Sequence, residues 1–178
     1  WFQGRFAFVC SFAYNTIERN PEWLEAAKSA LDFIEKYCID TDGHMFFEVT
    51  ETGEPIRKRR YVFSESFAAI AMAEYSLATG DKLYAEKALQ LFKRIKYLTE
   101  TPGLLPPKYC VNVKMQGHSL IMILINTASR IRKVINDPIL DEQIDWSVNK
   151  IRSSFMHPEF KALLETVGPD GEFINTIT

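Results

Sequence analysis

Three turn signals divide this chain at a regular interval: Asn20-Pro21, Gly80-Asp81 and Asp137-Pro138 stand about 60 residues apart. Each lies between two stretches whose apolar residues recur at helical spacing, so each reads as the tip of a helical hairpin. A hairpin of two amphipathic helices cannot bury its apolar face alone. Three of them in series must stack side by side, and that restricts the chain to an all-α repeat architecture.

The first helix is predicted over about Arg5 to Asn20, with Phe6, Val9, Cys10, Ala13 and Ile17 on one side. Pro21 suits the first turn of the second helix, with Asn20 as its N-cap, and that helix is predicted to run to about Tyr37. Asp42-Gly43 and Thr52-Gly53 are turns, and His44 to Val49 reads as one strand of a β-hairpin. The third helix is expected from about Ser64, its N-cap, to a stop at Gly80. It is rich in Ala and apolar around much of its circumference, as a helix buried on several sides must be. Its partner, about Lys82 to Leu98, is two-faced, with Lys82, Glu86, Lys87, Lys93 and Lys96 available to solvent. Pro102-Gly103 and Pro106-Pro107 form a stiff loop before a strongly apolar helix over 116–135. A last helix is predicted over 139–156, and Pro169-Asp170-Gly171 is a turn between two short strands. First helices inside and second helices outside make half of an (α/α)6 toroid. The whole ring, at about 60 residues per pair, would need roughly 350–400 residues.

At 178 residues the chain is one domain or a portion of one, and it is treated as a single partial barrel over 1–178. It opens on Trp1 and closes on a β-like Phe173-Ile174-Asn175-Thr176-Ile177-Thr178, and both ends are expected to continue into a longer protein. A net charge of −2 gives no general attraction to nucleic acid or to anionic membranes. The basic run Arg57-Lys58-Arg59-Arg60 is read as a solvated loop. No segment has the roughly 18 apolar residues that span a bilayer. Cys10, Cys38 and Cys110 contain no paired spacing, which fits free thiols in a reducing cytoplasm and argues against structural zinc.

The residues that could carry chemistry fall at the starts of the first helix in each pair. Arg5 comes first, then Tyr61 with Glu65, then His118. Stacked hairpins would open these starts at one end and gather a guanidinium, a phenol, a carboxylate and an imidazole round one mouth, a pocket for a polar small molecule. Tyr61 and Glu65, four apart, share a helix face, and Phe63 and Phe67 on either side of Glu65 point to a partly desolvated carboxylate. A helix start favours a neutral imidazole at His118. Each residue also has a plain alternative: a salt-bridged surface arginine, a helix-dipole partner, and a histidine satisfied by a backbone carbonyl. His44 reads as a loop histidine and His157 as a helix cap. There is no nucleophile triad, phosphate loop or dinucleotide fingerprint.

Trp1-Phe2-Gln3-Gly4-Arg5, the block Arg60-Tyr61-Val62-Phe63-Ser64-Glu65-Ser66-Phe67, Ala71-Met72-Ala73-Glu74-Tyr75 with Thr79-Gly80-Asp81, Gly117-His118 through Met122, and Leu163-Leu164-Glu165 with Gly168-Pro169-Asp170-Gly171 together resemble the N-acylglucosamine 2-epimerase family. The resemblance implies an (α/α)6 barrel and an isomerase that opens a reducing sugar, removes the C2 proton and returns one on the opposite face. It implies Arg5 as the essential pocket arginine, with Tyr61, Glu65 and His118 as substrate contacts. The two proton-transferring histidines of the family lie in later helices, one in a Pro-Gly-His motif, and are not in this sequence. It implies no metal and no catalytic cofactor, with ATP as an allosteric activator in some members. A sugar is the expected partner, with neither nucleic acid nor membrane, and a homodimer is allowed. Interconversion of N-acetylglucosamine and N-acetylmannosamine is the leading expectation. A cellobiose 2-epimerase, an aldose–ketose isomerase, a glycoside hydrolase using Glu65 as one of two carboxylates, and a non-catalytic sugar-binding protein are the alternatives.

Overall fold

A computed structural model describes residues 1–58, 61–109 and 112–175. Within them three helical hairpins follow one another: α1 (Phe2–Thr16) with α2 (Pro21–Tyr37), α3 (Phe63–Thr79) with α4 (Lys82–Glu100), and α5 (Ser119–Ile131) with α6 (Pro138–Lys150). The three turn signals act as caps. Asn20 accepts the Glu22 N–H at 3.0 Å, Asp81 the Leu83 N–H at 2.9 Å, and Asp137 the Ile139 N–H at 3.1 Å. Pro21 and Pro138 follow two of these caps, where a missing N–H costs nothing. Gly80 ends α3 at φ 76°, a conformation without steric penalty only for glycine.

The inner and outer layers follow from burial. Every residue from Ser64 to Glu74 is buried, because α3 packs on α1, α4 and α5. By contrast α4 buries one stripe (Tyr84, Ala85, Ala88, Leu89, Phe92, Ile95) and leaves its lysines outward. The inner helices run parallel. Gly4 near the start of α1 meets Phe67 near the start of α3, and a Cβ at Gly4 would stand 2.9 Å from the Phe67 carbonyl carbon. At the other end, Asn15 of α1 donates to Glu74 of α3 at 2.8 Å, and Arg130 of α5 reaches the same carboxylate at 3.5 Å. Glu74 is 3 % exposed, so these partners offset the cost of burying its charge. Arg130 also lies over the rings of Phe8 and Phe12, at 5.2 and 5.3 Å. The free flank of α1 leaves Phe2, Phe6 and Val9 exposed. No described helix is long and apolar enough to cross a membrane.

The strands are short. β1 (Phe46–Val49) and β2 (Pro55–Lys58) form an antiparallel hairpin whose turn includes Gly53 at φ 91°, with the Tyr37 ring beneath it. β3 (Gln116–Gly117) pairs with β6 (Thr166–Val167), and β4 (Met156–His157) with β5 (Ala162–Leu163).

Several sequence expectations need correction. α1 starts at Phe2 and ends at Thr16, short of Asn20. The residue capping α3 is Val62, and Ser64 sits in the first turn without capping it. Residues 116–117 leave the helical pattern because β6 offers them a ladder, so α5 starts at Ser119. The last helix turns π-helical over Ile151–Phe155 before β4. Arg57 and Lys58 belong to β2, and Lys58 donates to Asp40 at 2.6 Å and Asp42 at 2.8 Å. Those bonds from Lys58, then the N–H groups of Thr41 and His44, hold both carboxyls below the usual range. Arg59, Arg60 and Cys110 lie outside the described residues. Cys10 and Cys38 are free thiols, and burial raises the pKa of both. The turn at 169–171 follows β6, but Glu172 to Asn175 form no strand.

Two substitutions test this packing in thermal or urea unfolding. Gly4→Ala must push α1 off α3 and should cost about 1–3 kcal/mol. Phe92→Ala, at a position with no exposed surface, should cost about 3–5 kcal/mol through the cavity it leaves.

Candidate functional site at the helix starts

The end of the bundle where the inner helices begin is built on aromatic rings. Trp1, the cap of α1, stands edge-on to Phe47 of β1 at 5.0 Å and to Phe67 of α3 at 5.3 Å. Phe63 stacks on it at 6.0 Å and Tyr61 tilts against it at 6.2 Å. Arg5, one helical turn into α1, lays its guanidinium over Phe67 at 4.6 Å and over Trp1 at 5.5 Å. The Arg5 side chain is exposed, so the rings hold one face of the cation while its N–H donors stay available to a ligand.

Two clefts flank this cluster. One, of about 450 Å³, lies between the start of α1 and β1 and is lined by Trp1, Gln3, Phe47, Glu48 and Ser64 among others. The other, of about 440 Å³, lies between the starts of α3 and α5 and is lined by Tyr61, Phe63, Thr99, Lys108 and Ser119 with apolar neighbours. The phenol of Tyr61 thus stands between the aromatic cluster and the second cleft.

Of the four residues expected round one mouth, Arg5 and Tyr61 meet through Trp1. Glu65 does not line a mouth. It has no exposed surface, accepts the Met45 N–H at 2.6 Å and is hydrogen-bonded to Nδ1 of His44. The reason is helical geometry. Glu65 and Phe67 are two positions apart on α3, so one side chain turns under the hairpin while the other turns towards Arg5. His118 caps α5; its backbone N–H donates to the Glu165 carbonyl at 3.1 Å, Nδ1 lies 3.3 Å from the same oxygen, and the ring tilts against Phe155. Its neighbours Ser119 and Leu120, rather than His118 itself, line the cleft shared with Tyr61. Gln116 fixes the loop behind it by donating to the Gly168 and Pro169 carbonyls at 2.8 and 2.9 Å.

Sequence reasoning missed His44. It does lie in the loop before β1, as expected, but it is only 8 % exposed, and the folding of that loop onto α3 brings it to Glu65. Asp42 accepting the His44 N–H at 2.8 Å is a local sign that this turn is ordered. His157 sits in β4, stacked on Phe160 at 4.2 Å. Among the described residues no group of His, Cys, Asp and Glu is placed to hold a metal ion.

Comparison with known proteins places this arrangement. The family model described as N-acylglucosamine 2-epimerase (GlcNAc 2-epimerase) matches residues 1–104. The N-acylglucosamine 2-epimerase of Bos taurus is 29% identical over 180 residues, covering 97% of this chain and 42% of its own length. A cellobiose 2-epimerase of Ruminococcus albus is 32% identical over 94 residues, 52% of this chain and 24% of its own. The solved cellobiose 2-epimerase of Bacillus thermoamylovorans superposes with a TM-score of 0.84 at 18% identity, over 97% of this chain and 48% of that one. The solved D-mannose isomerase superposes at 0.77 with 10% identity, over 97% and 45%. The chain spans less than half the length of these relatives, and its three hairpins are that share of a helical barrel. Matched by that family model over more than half of its length, the chain belongs to the N-acylglucosamine 2-epimerase family.

Proposed function

We propose that the protein containing this chain is a sugar 2-epimerase that interconverts N-acetylglucosamine and N-acetylmannosamine. The observation that carries the reading is the exposed guanidinium of Arg5, held on Trp1 and Phe67 at the open end of the inner helices. Epimerisation at C2 needs the open-chain sugar, because only the C1 aldehyde makes the C2 proton acidic. Its removal leaves negative charge on the aldehyde oxygen, and a fixed cation with several N–H donors stabilises that charge as it develops. The rings beneath Arg5 provide the fixing, so little reorganisation is needed during the reaction. The Tyr61 phenol and the Ser119 hydroxyl line the adjoining cleft and suit sugar hydroxyls. The two groups that move the proton would come from the part of the barrel outside this sequence, one on each face of C2. ATP as an activator, a homodimer and a cytoplasmic setting belong to the same proposal.

Epimerisation of an unmodified sugar is the second reading, favoured by the match to the cellobiose 2-epimerase of Ruminococcus albus. A glycoside hydrolase using Glu65 is disfavoured, since a carboxylate with no exposed surface cannot reach a glycosidic oxygen.

Proton NMR of the full-length protein in D2O separates these. N-Acetylglucosamine should yield N-acetylmannosamine carrying deuterium at C2; product without solvent label would refute proton transfer, and exchange with cellobiose alone would establish the second reading. Arg5→Ala should lower kcat/KM by about 10²–10³-fold.

A further inference from the structure

The reading above leaves without a task the most deeply buried carboxylate of the helix starts. Glu65 has no exposed surface, and its Oε2 has no hydrogen-bond partner among the described residues. Burying a carboxylate with one oxygen unsatisfied is unfavourable, so the contacts of the other oxygen must matter to the fold around it. Those contacts run to one place, the chain entering β1. Oε1 accepts the Met45 N–H at 2.6 Å and bonds His44, and both residues are buried. Two residues further on, Phe47 stands edge-on to Trp1 at 5.0 Å. Two residues after Glu65 on its own helix, Phe67 stands edge-on to Trp1 at 5.3 Å. Trp1 and Phe67 are the two rings beneath the Arg5 guanidinium. Glu65 is therefore linked to the Arg5 cradle along two routes, through β1 and through α3.

We propose that Glu65 is a positioning residue for Arg5: its carboxylate fixes the chain entering β1 at His44 and Met45, and β1 holds Trp1 under the guanidinium through Phe47. Its role lies in reach rather than charge. Gln keeps the length and can still accept the Met45 N–H and bond His44. Asp keeps the charge but is one methylene too short. The activity part of the test rests on the sugar-epimerase reading; the positioning itself does not.

The experiment uses the full-length protein with Glu65→Asp, Glu65→Gln and His44→Asn, and measures two things. The first is the rate at which phenylglyoxal modifies Arg5, followed by peptide mass spectrometry, which needs no substrate. Glu65→Asp should speed it severalfold and Glu65→Gln should leave it near wild type, because only a loosened cradle exposes the covered face of the guanidinium. His44→Asn, which keeps the carboxylate and the Met45 N–H, should give an intermediate rate and supplies this reading if Glu65→Asp does not fold. The second is C2 exchange. Glu65→Asp should lower kcat by about 10-fold or more with KM little changed, as a misplaced group does. In an Arg5→Ala background the same change should cost almost nothing further, since both act through one contact. Unchanged Arg5 modification in both Glu65→Asp and His44→Asn would overturn the proposal. So would loss of activity in Glu65→Gln with retention in Glu65→Asp, which marks a role for the charge, or losses that multiply with Arg5→Ala. If the wild-type protein exchanges no sugar, the modification rates still decide the positioning while the epimerase reading fails.

Discussion

The close approach of α1 to α3 at Gly4 is the contact on which the rest of the structure depends. With no Cβ between them, the backbones pack until Gly4 lies against the Phe67 main chain. That approach lets α3 be covered on its other sides by α4 and α5. It also sets Trp1 and Arg5 of α1 directly over the first turns of α3, and the aromatic end follows from it. A bulkier residue at position 4 would separate the cation from its rings as well as opening the core.

Two glutamates of α3 illustrate how the same side chain serves opposite ends of a buried helix. Glu74 ties the finishing ends of three inner helices through Asn15 and Arg130. Glu65 ties the starting end to a β-hairpin. Glu74 offsets its desolvation with partners on both neighbouring helices, whereas Glu65 does so through one oxygen alone and leaves the other unsatisfied among the described residues. The bundle is thereby pinned at each end, with the exposed Arg5 guanidinium at one of them.

The helical layout was legible in the sequence because it is written in local chemistry. Asn20, Asp81 and Asp137 cap helices by bonds to residues two positions away, and Gly80 stops α3 by its own conformation. The inner and outer layers were legible from the difference between an all-round apolar α3 and a two-faced α4. The candidate site was legible in part. Arg5 and Tyr61 do meet at the helix starts, through Trp1. Glu65 falls at a helix start, which by itself points to the mouth, but its face of α3 turns to the chain entering β1; Tyr61 precedes the helix, so their four-residue spacing does not put them on one face. The start of α5 is not legible in the sequence, because an apolar run cannot show that Gln116 and Gly117 pair with Val167 and Thr166.

Sequence alone determined the number of hairpins, the cap at Asn20, the stop at Gly80 and the all-round burial of α3, since each depends on interactions within a few residues or on the apolar period of one helix. Family motifs likewise marked the guanidinium of Arg5. Only the tertiary structure decided that Glu65 lies beneath the site rather than in it, that His44 is its partner, and that Trp1 joins Arg5 to β1. Those facts depend on which face of α3 meets the hairpin and on how closely α1 approaches. Both are set by packing between segments tens of residues apart, which no local pattern records.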